Sequence, residues 1–375
     1  MERAATGIGG RRVSLDEAAA EAARLLAASA QPLIAGLGAD VDGARRAVVL
    51  AQRVGGVIDH LHSAPMFRDL DSLRETGVMI TTPSETRIRA DVLLLVGDCI
   101  ADAWPDFSDR LLARPARPDE VDVKRRVVVL AKGDAPNRHG LQGHVETAVF
   151  GRGSAFAVNL AALRTRAKGR PIRRDLDLAP ANLDLIVDLL KGAKFGVAIW
   201  SAAELEVLEI EMLNGLVRDL NESTRFSTLP LAAPDNGLGT LSVCGWMTGF
   251  PMRTGFGSGA PIHDPWRFDA ERLVKSGETD CVVWVSSFGA RPPDWAEGSI
   301  SIAVCDREGR PRQTPKVMIE VGRPGVDHDA VLHSMNTGTL VAVSATAAPA
   351  AKAPSIAEAL ARITDNLPDA DPGIC

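Results

Sequence analysis

Two glycines near the start of the chain stand where a dinucleotide-binding turn would begin. Gly36 and Gly38 end the apolar run PLIAGLG (32–38) and precede a helical segment, as the first two glycines of a GxGxxG motif do. The third glycine of that motif is missing, because Val41 stands at its position. Because an isolated GxG usually serves only the turn, the pattern favours an ordinary strand-to-helix connection over a nucleotide site.

A second candidate site follows the apolar strand DVLLLVGD (91–98). Gly97 and Asp98 stand at its carboxyl end, which is where open α/β sheets bind ligands, and Asp102 and Trp104 come soon after. The acids could orient a polar ligand. The alternative is a plain strand-to-helix turn in which Asp98 caps the next helix, and that interpretation is favoured.

The seven histidines form no recognisable catalytic or metal motif. His60 and His62 alternate along an extended segment. Asp327, His328 and His333 could ligate a metal only if their segment folded back on itself, and surface histidines are commoner. HExxH, GxSxG and GxxxxGK[ST] motifs are missing from the sequence. The residues alone therefore predict neither a metal site nor a catalytic residue.

The cysteines are spread along the chain with no CxxC or CxxxC pair. They are Cys99, Cys244, Cys281, Cys305 and Cys375. An iron–sulfur cluster or a structural zinc site needs several thiolates that converge on one centre. These cysteines are instead predicted to be free thiols that pack as small apolar residues in a reducing compartment.

Composition excludes several classes of function. A chain of 375 residues with 46% hydrophobic and 24% charged residues has the balance of a globular protein of two or three domains. The net charge of −6 argues against a nucleic-acid surface, which needs a basic footprint. No apolar run approaches the ~20 residues of a membrane helix, and the acidic N-terminal segment does not resemble a signal peptide. We expect a cytoplasmic protein.

The first third of the chain alternates helices with apolar strands. SLDEAAAEAARLLAAS (14–29) predicts a helix capped by Ser14, and residues 42–56 predict a second that ends at Gly55-Gly56. Residues 32–38, 91–98 and 125–134 are continuous Val/Leu-rich strands. Strands that are apolar throughout must be buried on both faces, so the pattern predicts a parallel sheet covered by helices on both sides.

The same order of elements recurs later in the chain. Residues 194–200 predict a strand, 204–221 a long helix, 280–289 a buried strand and 299–306 its neighbour. We therefore predict an α/β protein with two doubly wound, Rossmann-like lobes. The strands at 91–97 and 282–288 are expected to be central.

The predicted boundaries follow from this repeat. The first lobe is expected at 12–180 and the second at 181–344, with the possibility that strands are exchanged between them. Residues 345–375 begin with an Ala/Pro-rich stretch and are predicted to form a linker and an accessory C-terminal tail.

A glycine-rich stretch, residues 230–265, separates the last long helix from its strand. So long a loop within a compact domain is usually a functional or interface element. We expect bulky side chains to fill or cover any cleft there or beside the strand end at Gly97, because an empty cavity costs free energy in proportion to its volume. The candidates are Trp104, Trp246, Met247, Phe250 and Phe256.

Several segments carry a resemblance to known proteins. They are SLDEAAAEAARLL (14–26), ARRAVVLAQRVGGVIDH (44–60), TPSETRIRADVLLLVGD (82–98), LVRDLNESTRFSTLPLAAPDNGLG (216–239), MTGFP (247–251) and DCVVWVSSFGARPP (280–293). Together they are similar to the molybdopterin-dependent oxidoreductases, and most closely to the B subunit of formylmethanofuran dehydrogenase. The resemblance spans roughly residues 12–335 and implies the two-lobed fold of that family.

The chain departs from that family at each position that serves the redox chemistry. No cysteine precedes Cys99, whereas active relatives begin with a cysteine-rich, cluster-binding segment. HLHSAPMFRD (60–69) replaces the cysteine or selenocysteine ligand of tungsten or molybdenum, and GDCIADAWPDF (97–107) replaces a G-x-N-P-x-x-x-H-P turn. Asp98 and Asp102 would place negative charge beside a pterin diphosphate.

The comparison therefore implies a degenerate cofactor site and the loss of the N-terminal iron–sulfur domain. The cleft comprises Gly36, Gly38, Gly97, Asp98, Asp102 and Trp104. It is expected to hold neither molybdopterin nor tungstopterin, no metal and no iron–sulfur cluster, and no residue is expected to be catalytic.

The resemblance extends to the formyltransferase/hydrolase complexes of methylotrophic bacteria, which release formate by hydrolysis. It implies a structural subunit in the conversion of formyl-tetrahydromethanopterin, by way of a methanofuran-type cofactor, to formate during formaldehyde oxidation. The implied partners are an amidohydrolase-like formyl hydrolase subunit, a formyltransferase subunit and a further subunit, with the carrier reaching the complex through them.

Two other interpretations stay open at this point. One is an active molybdenum or tungsten formylmethanofuran dehydrogenase subunit that takes its cluster from a partner. The other is a free-standing nucleotide-binding protein that uses Gly36, Gly38 and the turn at Gly97.

Overall fold

The structure is a computed structural model that describes residues 6–112, 125–133, 145–151, 153–172, 180–347 and 353–369. It has mixed α/β architecture, which confirms the predicted fold class at that level. The chain forms two compact units. Unit 1 contains residues 1–63, 234–333 and 340–375, and unit 2 contains residues 64–233 and 334–339. No helix in the described ranges is both long and apolar enough to cross a bilayer.

The described strands and helices are numbered along the chain. The strands are β1 (Gly7–Ile8), β2 (Arg11–Arg12), β3 (Pro32–Gly38), β4 (Val57–Ile58), β5 (Val92–Val96), β6 (Arg126–Ala131), β7 (Val145–Val149), β8 (Gly196–Trp200), β9 (Phe226–Pro230), β10 (Thr254–Gly255), β11 (Ile262–His263), β12 (Cys281–Ser286), β13 (Ile300–Cys305), β14 (Val317–Glu320), β15 (Ala330–Ser334) and β16 (Thr339–Val343). The helices are α1 (Leu15–Ala27), α2 (Val41–Val54), α3 (Ser63–Thr76), α4 (Pro83–Arg89), α5 (Ile100–Ala103), α6 (Ser154–Ala167), α7 (Pro180–Lys191), α8 (Val207–Leu220), α9 (Gly237–Thr248), α10 (Ala270–Ser276) and α11 (Ile356–Asp365), with a π-helical turn at Ser108–Leu112.

Unit 1 is built on a sheet of strand order β11-β10-β4-β3-β12-β13-β14-β1-β2. The five strands from β4 to β14 run parallel, and short antiparallel strands extend the sheet at both edges. Every residue of β3, β12 and β13 is buried, as their uninterrupted apolar sequences require. The strand β12 stands at the middle of the order, which confirms the central position predicted for residues 282–288.

The predicted helix ends of unit 1 are confirmed. Ser14 caps α1 in a capping box with Glu17, and α2 ends at Gly55, whose φ of 63° is the left-handed conformation that glycine adopts readily.

The C-terminal helix α11 differs from the predicted accessory tail. It packs on α1 and α2, and Ile356, Leu360 and Ile363 are buried in that contact. Burying one such side chain contributes roughly 1.5–3 kcal/mol, so α11 belongs to the core of unit 1. The Ala/Pro-rich composition before α11 predicted a tail. The apolar residues of α11, however, recur at helical spacing and form one face, and that face packs into the core.

Unit 2 is built on a parallel sheet of order β7-β6-β5-β8-β9 with β5 at its centre, as predicted for residues 91–97. Alternate residues of β5 face two different cores. Leu94 lies in the core formed with α6, α7 and α8, whereas Leu93 and Leu95 lie in a core that includes Trp104 and Phe107. This sheet is therefore covered on both faces.

The units do not coincide with the contiguous ranges 12–180 and 181–344. In unit 1, β3 pairs with β12, and in unit 2, β5 pairs with β8, so each sheet takes strands from both copies of the predicted repeat. Apolar runs specify that strands are buried but not which strand is the neighbour, and parallel pairing always needs a long crossover.

The glycine-rich stretch is not the loop predicted for residues 230–265. It contains α9 and the hairpin strands β10 and β11. In unit 1, α9 packs on α2 and β3 through small residues, and a Cβ at Gly239 would overlap the Asn236 side chain. Gly239 therefore leaves room for the side chain of Asn236, the N-cap residue of α9, a use that composition alone does not distinguish from a loop.

Candidate functional site

The candidate site of unit 2 lies at the carboxyl edge of its parallel sheet. From the central strand β5 the chain builds β6 and β7 on one side, and later β8 and β9 on the other. The order of the strands therefore reverses between β5 and β8, and open α/β sheets bind ligands outside the strand ends at such a point. The turn at Gly97–Cys99 follows β5, and Glu204 follows β8.

Glu204 occupies the hydrogen-bond donors of the turn after β5. Its Oε2 atom accepts hydrogen bonds from the backbone N–H groups of Asp98 and Cys99, both at 2.8 Å. Gly97 has a φ of 95°, and a Cβ atom at that position would overlap Glu204 Oε2. Adjacent N–H groups in such a turn form an anion-binding concavity, and here the anion is a carboxylate of the protein itself.

Asp98 makes the equivalent contact one strand further along. Its carboxylate accepts hydrogen bonds from the backbone N–H groups of Lys132 at 3.2 Å and Gly133 at 2.8 Å, which follow β6. The prediction that Asp98 caps the next helix is therefore wrong. Cys99 is the N-cap residue of α5 and makes no side-chain capping bond. The sequence placed Asp98 just before a short helix, but it did not show that two backbone N–H groups after β6 lie within hydrogen-bond distance of its carboxylate.

The lysine at this edge is bound by protein groups as well. Lys132 Nζ donates to the backbone carbonyl of Glu204 at 2.6 Å and to Glu209 Oε2 at 2.8 Å, and it lies 4.8 Å from the centre of the Phe156 ring. Its side chain is only 13% exposed and that of Glu209 only 4%. The Lys132 ammonium group is thus paired with the buried carboxylate of Glu209.

The thiol nearest the turn is unreactive at neutral pH. Burial, followed by the hydrogen bond and charge of Glu204, raises the pKa of Cys99 to about 12. Since the thiolate is the nucleophile, a thiol with this pKa is a poor nucleophile at neutral pH. Cys244, Cys281 and Cys305 are free and buried, as predicted, and burial raises the pKa of each to about 11 or 12. Cys375 lies outside the described residues.

Trp104 and Asp102, the other two predicted residues of this site, lie in different environments. Trp104 is 4% exposed and packs edge-on against Phe107, with ring centres 6.1 Å apart, in a core of unit 2. Asp102 is exposed on α5.

In unit 1 the Gly36–Gly38 turn also meets protein groups on all sides. A Cβ at Gly36 would lie 2.7 Å from the Val285 carbonyl oxygen, and one at Gly38 would lie 3.3 Å from Asp235 Cβ. The Gly38 carbonyl accepts hydrogen bonds from Ser287 N–H at 2.8 Å and Ser287 Oγ at 3.0 Å. The glycines therefore permit close packing of the turn against β12.

A histidine–aspartate cluster in unit 1 was not foreseen. His62 Nε2 lies 3.1 Å from Asp235 Oδ2, and His60 Nε2 lies 3.3 Å from the Asp235 carbonyl oxygen. His60 Nδ1 accepts the His62 N–H at 3.0 Å, which assigns the ring proton to Nε2. Burial, together with the neighbouring His62, lowers the pKa of His60 to about 4, so the ring is neutral. The signal was the close spacing of the two histidines, but they lie in the turn between β4 and α3 and not on the extended segment expected for them.

The residues suggested as metal ligands do not converge. Asp327 Oδ2 accepts the backbone N–H of Arg323 at 2.7 Å, His328 Nδ1 contacts the Asp329 carbonyl, and burial lowers the pKa of His333. Within the described ranges, no three His, Cys, Asp or Glu side chains are placed to hold a metal ion.

Fold and site together define an α/β protein whose strand-end turns are closed by its own carboxylates. No protein-family model matches the chain. It is 35% identical over 97% of its length to the B subunit of the formyltransferase/hydrolase complex Fhc of Methylorubrum extorquens, of which it covers 98%. The chain belongs to the family of that protein.

More distant relatives and a solved structure agree with this placement. The B subunit of the tungsten-containing formylmethanofuran dehydrogenase 2 is 26% identical over 87% of the chain in Methanocaldococcus jannaschii and 27% identical over 82% in Methanococcus maripaludis, and the chain covers 77% and 72% of these proteins. A chain in the crystal structure of the formyltransferase/hydrolase complex FhcABCD from Methylorubrum extorquens, in complex with methylofuran, superimposes with a TM-score of 0.83 at 32% identity. The match covers 96% of this chain and 98% of that one.

Proposed function

We propose that the chain is a non-catalytic, structural subunit of a cytoplasmic formyltransferase/hydrolase complex. That complex would convert formyl-tetrahydromethanopterin, through a methanofuran-type cofactor, to formate. Near full-length similarity to the Fhc B subunit supports membership of such a complex. The four described cysteines are free thiols, which suits a reducing compartment.

We also propose that each unit is a doubly wound, Rossmann-like lobe of the molybdopterin oxidoreductase type. The support is the reversal of strand order in each parallel sheet, between β3 and β12 in unit 1 and between β5 and β8 in unit 2. The similarity to tungsten-containing formylmethanofuran dehydrogenase subunits points the same way.

The observation that carries the non-catalytic assignment is the contact of Glu204 with the turn at Gly97. The Asp98 and Cys99 N–H groups that could bind a phosphate already donate to a carboxylate. A pterin diphosphate would have to displace Glu204 and would meet the negative charges of both Glu204 and Asp98. Placing like charges together in a partly desolvated site is unfavourable unless a cation offsets them, and Lys132 is held by Glu209.

The donor chemistry does not fit tungsten or molybdenum either. In the family that the sequence resembles, a cysteine or selenocysteine ligates tungsten or molybdenum, but residues 60–69 contain no cysteine. The degenerate cleft is therefore proposed to hold no pterin, metal or iron–sulfur cluster.

The chemistry is assigned to partner subunits. A formyl hydrolase subunit of the amidohydrolase type and a formyltransferase subunit would carry the active sites, and a further subunit would complete the assembly. The similar solved complex contains methylofuran, which supports a carrier of that class. The present chain would hold these subunits together.

Purification of the tagged chain from its native cells tests the proposal. We expect a formyltransferase and a hydrolase to co-purify in constant ratio, with formate-releasing activity and less than about a tenth of an equivalent of tungsten, molybdenum or iron per copy of this chain. Near-stoichiometric tungsten or molybdenum would instead establish the redox-active alternative. A chain that purifies alone and binds a nucleotide would establish the third interpretation.

A further inference from the structure

The exposed large apolar side chains of unit 1 are concentrated in one stretch of sequence. Trp246, Met247 and Phe250, which were expected to fill a cleft, are instead exposed, Trp246 by 65%, and Trp266 is 72% exposed. We define the aromatic patch as Leu238, Trp246, Met247, Phe250, Ile262 and Trp266. Clustered exposure of this kind marks interaction surfaces, whereas single exposed apolar residues need no explanation.

The outer face of α9 is uncharged. Leu238, Ser242 and Trp246 follow one another at a spacing of four and lie away from the buried residues Val243 and Cys244. Residues 237–252 contain no Asp, Glu, Lys, Arg or His. The solvent face of a surface helix normally carries charged side chains, so this face has the composition of an interface core.

Trp266 is held in place despite its exposure. The Arg272 guanidinium lies 4.6 Å from the centre of the Trp266 ring, and Arg272 Nε donates to the Trp266 carbonyl oxygen at 3.0 Å. Glu278 fixes that guanidinium through a hydrogen bond of 3.0 Å from Nη2. An aromatic anchor that is already ordered loses little conformational entropy on binding.

Phe250 is supported in a similar way at the end of α9. Its ring stacks on His263, with ring centres 6.2 Å apart and planes 17° apart. His263 Nδ1 in turn contacts the Arg253 carbonyl oxygen at 3.1 Å, and Thr248 Oγ1 accepts the Phe250 N–H at 3.1 Å. These contacts join the end of α9 to the β10–β11 hairpin within the aromatic patch.

A cavity of about 370 Å³ opens beside the patch in unit 1. It shares Ile262 with the patch and extends between Phe268 and Leu273, with Ser258 and Arg267 among its polar lining residues. At protein–protein interfaces, projecting aromatic side chains commonly fill pockets on the partner. A cavity beside such side chains can receive a side chain of the partner in the same way.

We propose that the aromatic patch is the docking surface for a different protein subunit of the formyltransferase/hydrolase complex, which rests on the function proposed above. The partner presents an uncharged, apolar face to Trp246, Phe250 and Trp266 and inserts a side chain into the adjacent cavity. The matching solved structure is a complex named for four subunits, which favours a different subunit over a second copy of this chain.

The chemistry of the patch argues against other occupants. Nucleic acids and anionic lipid surfaces are bound by clustered lysines and arginines. Residues 237–252 contain neither, and the guanidinium groups of Arg253 and Arg272 beside the patch are paired with Asp269 and Glu278. An interfacial membrane helix also needs a free apolar face opposite a basic one, whereas the inner face of α9 already packs on α2 and β3.

The test compares Trp246→Asp and Trp266→Asp with wild type, each tagged in the native cells. We expect each change to lower the recovery of at least one partner subunit about tenfold, measured by quantitative mass spectrometry of the purified complex. Leu185→Asp is the matched control, because Leu185 is 49% exposed on α7 of unit 2, and it should leave recovery unchanged. Since the replaced side chains are exposed, circular dichroism should show that all variants fold.

The outcomes separate this proposal from the proposed function. If wild type itself recovers no partner subunits, the proposed function is wrong. If wild type and both Trp variants recover the partners equally, the function stands and the docking surface is wrong. Light scattering on the isolated chain covers the remaining case: a wild-type dimer that Trp266→Asp converts to a monomer, with partner recovery unchanged, would assign the patch to self-association and overturn the proposal.

Discussion

Gly97 and Glu204 fit together only as a pair. The carboxylate Oε2 atom of Glu204 occupies the space in which a Cβ atom at residue 97 would lie, and the positive φ of Gly97 turns the following two N–H groups toward that oxygen. A glycine that resembles part of a phosphate-binding turn thus accommodates a carboxylate from 107 residues further along the chain. This relationship distinguishes a closed strand end from an open one.

Replacing Gly97 with alanine should be costly in unit 2. Both the strained φ and the overlap with Glu204 oppose a Cβ there, and we expect a loss of about 2–4 kcal/mol in the free energy of unfolding, measured by urea denaturation. Gly169→Ala is the control, because Gly169 has a φ of 68° with nothing within 4 Å of the added Cβ. It should lose only about 1 kcal/mol. Equal losses at the two glycines would mean that Glu204 does not fill the turn.

Glu204→Ala should destabilise the chain and also reduce the effect of Gly97→Ala. The single change leaves two N–H groups without their acceptor, at a cost of about 1–3 kcal/mol. In the double variant the overlap is gone. The sum of the losses of the two single variants should therefore exceed the loss of the double variant by at least about 1 kcal/mol. Strictly additive losses in urea denaturation would contradict direct contact between the two residues.

Local features of the sequence predicted local structure well. The Ser14 capping signal, the Gly55 stop and the apolar runs of β3, β5 and β12 each specify their element without reference to the rest of the chain. The neighbour of each strand was harder to predict from the sequence. The pairing of β3 with β12 depends on total burial and not on any short motif.

Prediction of the site stopped where long-range contacts begin. Asp98 was assigned to a helix cap, but the N–H groups that it binds follow a different strand, and Glu204 belongs to no sequence motif. The His62–Asp235 contact likewise joins residues 173 positions apart. Pairings of this kind follow from topology, which sequence patterns alone leave undetermined.

The buried ion pair of Lys132 and Glu209 should matter more for stability than exposed pairs do. Lys132→Met leaves the carboxylate of Glu209 buried without its cation, which should cost about 3–5 kcal/mol in urea denaturation. Lys275→Met is the control: the Lys275–Glu271 pair is 64% and 48% exposed, and its loss should cost less than about 1 kcal/mol. A combined Lys132→Met and Glu209→Leu variant should recover part of the loss, and failure to recover any would indicate that packing of the lysine stem is responsible.

The stability of unit 2 should depend on pH through Asp69. Burial raises the pKa of this carboxyl to about 6, and the indole Nε1 of Trp200 donates a hydrogen bond to it at 3.0 Å. An unfolded aspartate has a pKa of about 3.9, so between about pH 4 and pH 6 the unfolded chain releases a proton that the folded chain retains. The free energy of unfolding contributed by Asp69 must therefore fall as the pH rises through this window and level off above it.

Asp69→Asn tests this dependence, because asparagine still accepts the Trp200 hydrogen bond but does not ionise. Relative to wild type, the variant should gain up to about 3 kcal/mol in the free energy of unfolding at pH 7.5, and the gain should vanish near pH 4. His60, whose pKa is lowered to about 4, changes stability in the opposite direction over the same range, but it does so equally in both proteins and cancels in the difference. Urea denaturation at half-unit intervals of pH measures that difference. A gain that is constant with pH would show that Asp69 is ionised in the folded protein throughout.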